Sequence, residues 1–371
     1  MFYTALLTSL LLLGWAIGGI MFGRLTDKLG RTKTLMLTML TYSLSTAACA
    51  FAPNIETLAV FRFLASLGIG GEWAAGAALV AETMPKERRV LGGALLYTSA
   101  PAGLFLATYV NDLFTRQLDS LASNPHLSWR VVFLTGLVPA VVAIAIRWRV
   151  KEPESFHAGN QPRIAALFTP ELARRTWSGL SMALVALITW WSCSAFIPVV
   201  AAHLAVGSGL SPLELGRLRA EYIGIGTTAF NIGGLLGTLL TVPVATRLGR
   251  KPMFIGYFAL SALSIFATFG FDYEPMTRLW MLFLVGVSVF GVFGSFSFYL
   301  PELFPAHLRG TGAGFCYNAG RILTSAFPFA VGWVVRSGQN PLHVVSAVAL
   351  VPAIGALLVL TGIVYETKSA E

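Results

Sequence analysis

Ionisable side chains interrupt long apolar runs of this chain at three points, and those residues are the ones that could do chemistry. Run 57–81 holds two of them, in the order Arg62-Phe-Leu-Ala-Ser-Leu-Gly68-Ile-Gly70-Gly71-Glu72-Trp73, and run 311–334 holds Arg321 just beyond Asn318. A charge in hydrocarbon is costly, so each must face a polar cavity or find a partner. Arg62 and Glu72 would lie about 15 Å apart along a helix and about 80° apart around it, which makes them poor partners for each other. Desolvation favours the neutral form of a carboxylate, so Glu72 is a candidate proton carrier; a structural hydrogen bond to a neighbouring helix is its alternative. Arg321 could hold an organic anion through two parallel hydrogen bonds, or it could tie two helices together. Asn231, in the middle of run 222–243, has an amide that needs partners. Tyr97 and Trp190, with Trp191, Tyr299 and Tyr317, either line a central cavity or pack against lipid and core.

A second group of charges sits between the first two apolar runs. The stretch Gly23–Leu35, GRLTDKLGRTKTL, places Asp27 among Arg24, Lys28, Arg31 and Lys33, with Gly23 and Gly30 in the pattern Gly-x-Leu-x-Asp-x-x-Gly-Arg-x-Lys. Such charge density belongs in a tight loop at a membrane surface. It is echoed later in the chain. Leu248-Gly249-Arg250-Lys251 repeats Leu29-Gly30-Arg31-Thr32 at an offset of 219, and Glu302…Pro305…Arg309 repeats Glu82…Pro85…Arg89 at an offset of 220. Two matches at nearly one offset indicate two helical units of parallel topology. The second copy decays in part, with Val242 in place of Gly23 and Thr246 in place of Asp27.

The remaining sequence must position these residues. Of 371 residues 56% are hydrophobic and only 12% charged, with mean hydropathy +0.72, a balance that excludes an ordinary soluble domain. Eleven apolar runs of bilayer-crossing length are expected as helices: 3–22, 34–52, 57–81, 91–113, 131–148, 177–202, 222–243, 253–270, 279–299, 311–334 and 343–364. The fold class is therefore all-α and polytopic. An N-terminal half is expected over 1–148, a linker over 149–176 and a C-terminal half over 177–371. Lys and Arg concentrate on alternate loops, 18 of the 26 against six on the other side, which puts the Gly23 loop and the C-terminus in the cytoplasm. The net charge of +9 thus follows membrane topology and does not point to nucleic acid. Cys49, Cys193 and Cys316 all lie in apolar runs and suggest neither a disulfide framework nor a metal site. No nucleophile–base pair, metal-ligand spacing or phosphate loop argues for an enzyme, and no cofactor is implied. The N-terminus lacks the basic region of a signal peptide and reads as a true span. The repeat offset implies that the first half begins one helix late, so the chain is either a truncated copy or has its start assigned too late.

The Gly23 loop resembles the loop between the second and third helices of the major facilitator superfamily of transporters. The set Arg62…Gly70-Gly71-Glu72-Trp73…Glu82…Pro85…Arg88 resembles the proton-coupled metabolite porters of that superfamily, which include sugar, lactate, sialate and aromatic-acid carriers. Pro301-Glu302-Leu-Phe-Pro305…Arg309-Gly-Thr-Gly312 resembles the matching loop of the second half. The resemblance implies two six-helix halves, the first helix missing here, in a bacterial-type inner membrane. It implies that Asp27, Arg31, Glu82 and Arg89, with Gly249, Arg250, Glu302 and Arg309 in the second copy, gate the inner face. The substrate would be a small organic acid or sugar-like metabolite moved with protons, by a monomer, through alternating access. A facilitative carrier or exporter of the same fold and a transport-inactive truncated membrane protein are the rival readings.

Overall fold

Segments this apolar fold in lipid as helices, because every backbone N–H and C=O must be satisfied within its own segment. The computed structural model describes residues 2–122, 124–154, 156, 163–205, 211–362 and 364–365, and among these every regular element is a helix, without strands. Part of the expected linker (155 and 157–162) and the tail from 366, on which the expected cytoplasmic C-terminus rests, lie outside the described residues. The helices are α1 (Phe2–Leu29), α2 (Arg31–Cys49), α3 (Ile55–Thr83), α4 (Arg89–Asp112), α5 (Asp119–Ala122), α6 (Pro125–Leu134), α7 (Val138–Arg149), α8 (Ala173–Leu204), α9 (Pro212–Leu248), α10 (Arg250–Phe269), α11 (Pro275–Glu302), α12 (Arg309–Thr324), α13 (Phe327–Arg336), α14 (Pro341–Ala347) and α15 (Leu350–Leu360).

All eleven expected runs are helical, and among the described residues nine stretches are long and apolar enough to cross a membrane. The two that fall short do so for readable reasons. α2 is diluted by Ser and Thr, with Thr34, Thr38 and Ser43 buried against its neighbours. Run 311–334 is not one helix, because it breaks at Ser325–Ala326 just before Pro328, whose ring nitrogen cannot donate to the preceding turn. Pro139 and Pro352 likewise follow the interruptions between α6 and α7 and between α14 and α15.

The sequence repeat reappears as packing. α1 turns into α2 through Gly30 alone, at φ 109°, and α9 turns into α10 through Gly249, at φ 89°. Both are left-handed conformations that glycine adopts without strain. A Cβ on Gly18 would collide with the Leu67 carbonyl oxygen of α3, and a Cβ on Gly237 would collide with the Val287 carbonyl oxygen of α11. Gly14 approaches the Phe63 carbonyl as Gly233 approaches that of Phe283. The glycines are 219 residues apart and the carbonyls 220, so α1 on α3 and α9 on α11 are one construction built twice. Gly14 and Gly18, spaced Gly-x-x-x-Gly, therefore pack within the first copy. Gly19 and Gly23 of α1 face the second copy, against Asn318 and against Gly310 and Gly314 of α12.

The two copies fill their interiors differently. Buried positions of α3 are Ala, Ser and Gly, while α11 buries Phe290, Phe293, Phe296 and Tyr299 against Phe254 and Phe258 of α10 and Trp190 of α8. Close backbone approach holds the first group, and interlocking rings hold the second. Gly18→Ala and Gly237→Ala should each cost about 1–3 kcal/mol through forced overpacking, measured as a lower Tm in detergent. Gly256→Ala, which points into open space, should leave Tm unchanged or raise it.

Candidate functional site

At the end of the bundle that carries Gly30 and Gly249, the sequence-predicted charges form one network. Arg31 is 1% exposed and Asp27 fully buried. The Arg31 guanidinium grips Glu82 from two nitrogens, Nε to Oε2 at 3.0 Å and Nη2 to Oε1 at 2.8 Å. It also donates to the Thr26 and Ala306 carbonyls and lies 3.4 Å from Asp27. Glu82 accepts from Arg309 Nη1 at 3.0 Å, so one carboxylate joins cations from both copies. Asp27 reaches across to α12, where its Oδ1 accepts from the Gly310 N–H at 3.1 Å. Its Oδ2 accepts from the Thr311 N–H and hydroxyl, each at 2.7 Å. A carboxylate of α1 is thus the cap of a helix in the other copy, where free N–H groups and the helix dipole favour negative charge.

The second copy preserves the inner pair and loses the cross-link. Arg250 grips Glu302 at 2.8 Å and donates to the Ala245 carbonyl, as Arg31 does to Glu82 and Thr26. Thr246, in the place of Asp27, bonds among the described residues only to Val242 and Pro243 of its own helix. Arg89 donates to the Met84 carbonyl at 3.3 Å and enters no ion pair among the described residues. Sequence reasoning missed Glu152, which accepts from the Arg31 and Lys33 N–H groups at 2.7 and 3.0 Å and so caps α2. The signal was faint, a Glu before Pro153 in a segment without helical period.

Midway along the helices a second constellation forms around α12. Arg321 is 3% exposed and donates from Nη1 to Asn318 Oδ1 at 2.6 Å; its Nε is buried with no partner. Its guanidinium lies 4.2 Å from the Tyr317 ring centre and 4.3 Å from that of Trp15 on α1. Tyr317 in turn stacks on Trp73 of α3 at 4.0 Å. The Tyr97 and Tyr317 hydroxyls stand 3.4 Å apart, and these two are repeat mates, 220 residues apart. Trp190 joins through Phe293, at 6.3 Å, which lies 6.2 Å from Tyr317. The indole N–H groups of Trp15, Trp73 and Trp190 are buried without acceptors among the described residues. The site is therefore aromatic, rich in donors and poor in acceptors, and it joins both copies. Trp15 and Trp73 were missed as site residues because indoles in an apolar run read as core.

Not every expected residue converges there. Arg62 lies over the Phe133 ring of α6 at 5.8 Å, a contact inside the N-terminal helices and away from Arg321. Glu72 is half-buried on α3, within electrostatic reach of Tyr42 of α2, and has no hydrogen bond or ion pair among the described residues. Asn231 is 5% exposed beside Phe230, whose ring lies 5.2 Å from that of Phe290. It too makes no side-chain hydrogen bond among the described residues, and it does not touch Arg321.

Comparison with known proteins bears on this arrangement. A model of the Major Facilitator Superfamily matches residues 2–218, and a model described as Sugar (and other) transporter matches residues 174–368. The chain is 30% identical over 331 residues to the "Probable 4-methylmuconolactone transporter" of Cupriavidus pinatubonensis, covering 85% of this chain and 71% of that one. It is 28% identical, over a 407-residue alignment, to the niacin transporter NiaP of Acinetobacter baylyi, covering 98% and 86%. The solved structure of the proton:xylose symporter XylE bound to 6-bromo-6-deoxy-D-glucose matches with a TM-score of 0.74 at 18% identity, covering 99% of this chain and 87% of that one. With its helical repeat, its charged loop motif and these matches, the chain belongs to the major facilitator superfamily and is a multi-pass membrane transport protein, not an enzyme.

Proposed function

We propose that this chain is a proton-coupled carrier of a small organic anion, working in a bacterial inner membrane by alternating access. The observation that carries this is Arg321. A buried guanidinium without a counter-charge costs several kcal/mol, and among the described residues no carboxylate lies within ion-pair distance of it. An anion arriving from outside the protein would supply that charge through the open Nε edge. The relatives support the substrate class, since niacin and 4-methylmuconolactone are both small carboxylic acids.

Glu72 is the proton carrier in this reading. It is a carboxylate within a membrane-spanning helix, unpaired among the described residues, and taking up a proton would remove the cost of its charge. Residues 1–148 and 177–371 then act as two bodies, joined through 149–176, that rock about the Arg321 region. The Asp27, Arg31, Glu82 and Arg309 network closes the cytoplasmic side, and Asn231 and Tyr97 line the path. Because the network is made only when the bodies meet on that side, it biases the equilibrium toward the state open to the outside.

In proteoliposomes, Glu72→Gln should abolish accumulation driven by an imposed proton gradient while leaving counterflow of labelled niacin or a similar acid intact. Unchanged gradient-driven uptake would remove Glu72 from the coupling role. Asp27→Asn should weaken the three charge-assisted hydrogen bonds that Asp27 accepts from α12, each in the range of about 1.5–3 kcal/mol. Amide hydrogen exchange at Gly310 and Thr311 should then quicken at least about tenfold; equal exchange rates would show that the cap does not hold the gate.

A further inference from the structure

We infer that Trp15 stands in for the anion at Arg321 while the copies are closed, so that the ring and the anion compete for one guanidinium. This deepens the organic-anion reading above and rests on it. The guanidinium lies between two rings, 4.3 Å from the ring centre of Trp15 and 4.2 Å from that of Tyr317. The two covers differ in attachment. Tyr317 precedes Arg321 by one turn of α12 and moves with it, whereas Trp15 belongs to α1 in the other copy. Arg321 is 3% exposed and has no carboxylate within ion-pair distance among the described residues, so the ring faces are what offsets its desolvated charge in this state. Parting the copies takes one face away and leaves the cation in need of another partner. An anion supplies it, and has less to gain where Trp15 still covers the site. The anion therefore binds the parted state more tightly and shifts the equilibrium toward it.

The backbone makes Trp15 part of the first copy and not a free flap. Its carbonyl lies so close to Gly70 of α3 that a Cβ there would collide with it, so α1 and α3 carry the ring together. One turn further along α1, Gly19 presses on the Asn318 amide, whose oxygen accepts from Arg321 Nη1 and whose nitrogen donates to the Gly314 carbonyl. The same stretch of α1 thus covers the cation and clamps the group that aims it. The indole N–H of Trp15 has no acceptor among the described residues, so no hydrogen bond from it fixes the ring over Arg321. Its hold is the ring face and packing, which an anion can replace. The repeat mates of this pair are Gly234 and Pro101, which hold neither ring nor charge. The ring–cation contact is therefore made once and lies outside the packing that the two copies share.

The test reads Arg321 directly, in the full chain in lipid nanodiscs, as its rate of modification by phenylglyoxal followed by peptide mass spectrometry. Trp15→Leu and Trp15→Met keep bulk but have no ring face, and each should raise that rate about tenfold, within the range of a desolvated cation–π contact. Trp15→Phe should stay near the unaltered rate. Arg278, 2% exposed at the start of α11, should react equally in every variant, and a variant in which it does so is folded. Niacin and benzoate, added as probes, should protect Arg321, and half-protection should need about tenfold less acid in Trp15→Leu than in the unaltered protein. An Arg321 rate unmoved by the loss of the ring would overturn the inference, as would half-protection at an equal or higher concentration. Failure of both acids to protect Arg321 in any of the proteins would overturn the organic-anion reading, and the rate difference would then decide alone whether Trp15 covers the cation.

Discussion

The structure depends on a carboxylate that satisfies a helix it does not belong to. Asp27 sits at the end of α1 and is fully buried, yet two of its three hydrogen bonds go to backbone N–H groups of α12 and the third goes to Thr311. Around it, Glu82 is shared between Arg31 and Arg309. Taken singly, surface ion pairs of this kind contribute little. Here the side chains of Arg31, Asp27 and Glu82 are almost wholly withdrawn from solvent, so removing one member strands the others. That gives the contact a switch-like character, since its members are either all matched or collectively unfavourable.

Beneath this network lies the pairing of α1 with α3 and of α9 with α11. Glycine at four repeat-related positions lets each pair of backbones touch, and Gly19 and Gly23 then bring α1 against α12. Trp15 can then cover Arg321, and Gly19 can admit Asn318. Charges and rings are placed by positions where a side chain is absent.

The legible parts of the sequence were those that stand out against an apolar background. The charged stretch from Gly23, which is helical except at Gly30, its echo at 219 residues, and Arg321 inside a run all carry information because charge there is costly. They located the charged network at the Gly30 and Gly249 end and the buried cation at mid-helix. Depth along a helix could be read from position in a run, but the direction a side chain faces could not. Arg62 illustrates the difference: its depth made it a candidate, and packing turned it toward Phe133 instead of the centre. Trp15 and Trp73 were hidden for the opposite reason, since an indole is counted as apolar and its single N–H leaves no mark on hydropathy. The break in run 311–334 was signalled by Pro328, but residue type alone does not separate a kink from an interruption. Glu152 was illegible because a cap donated from a distant segment has no local period.

If the charged network gates as proposed, its lopsided chemistry has a mechanical consequence. Two bodies joined by equal clasps on either side of a centre would part evenly, like a pair of jaws. Here the α1 margin is fastened by Asp27, while the matching margin of α9 offers Thr246, which turns back on its own helix. A load applied at the middle would therefore prise the weaker edge first and leave the stronger one as a hinge, and this end of the bundle would open as a wedge beside α9.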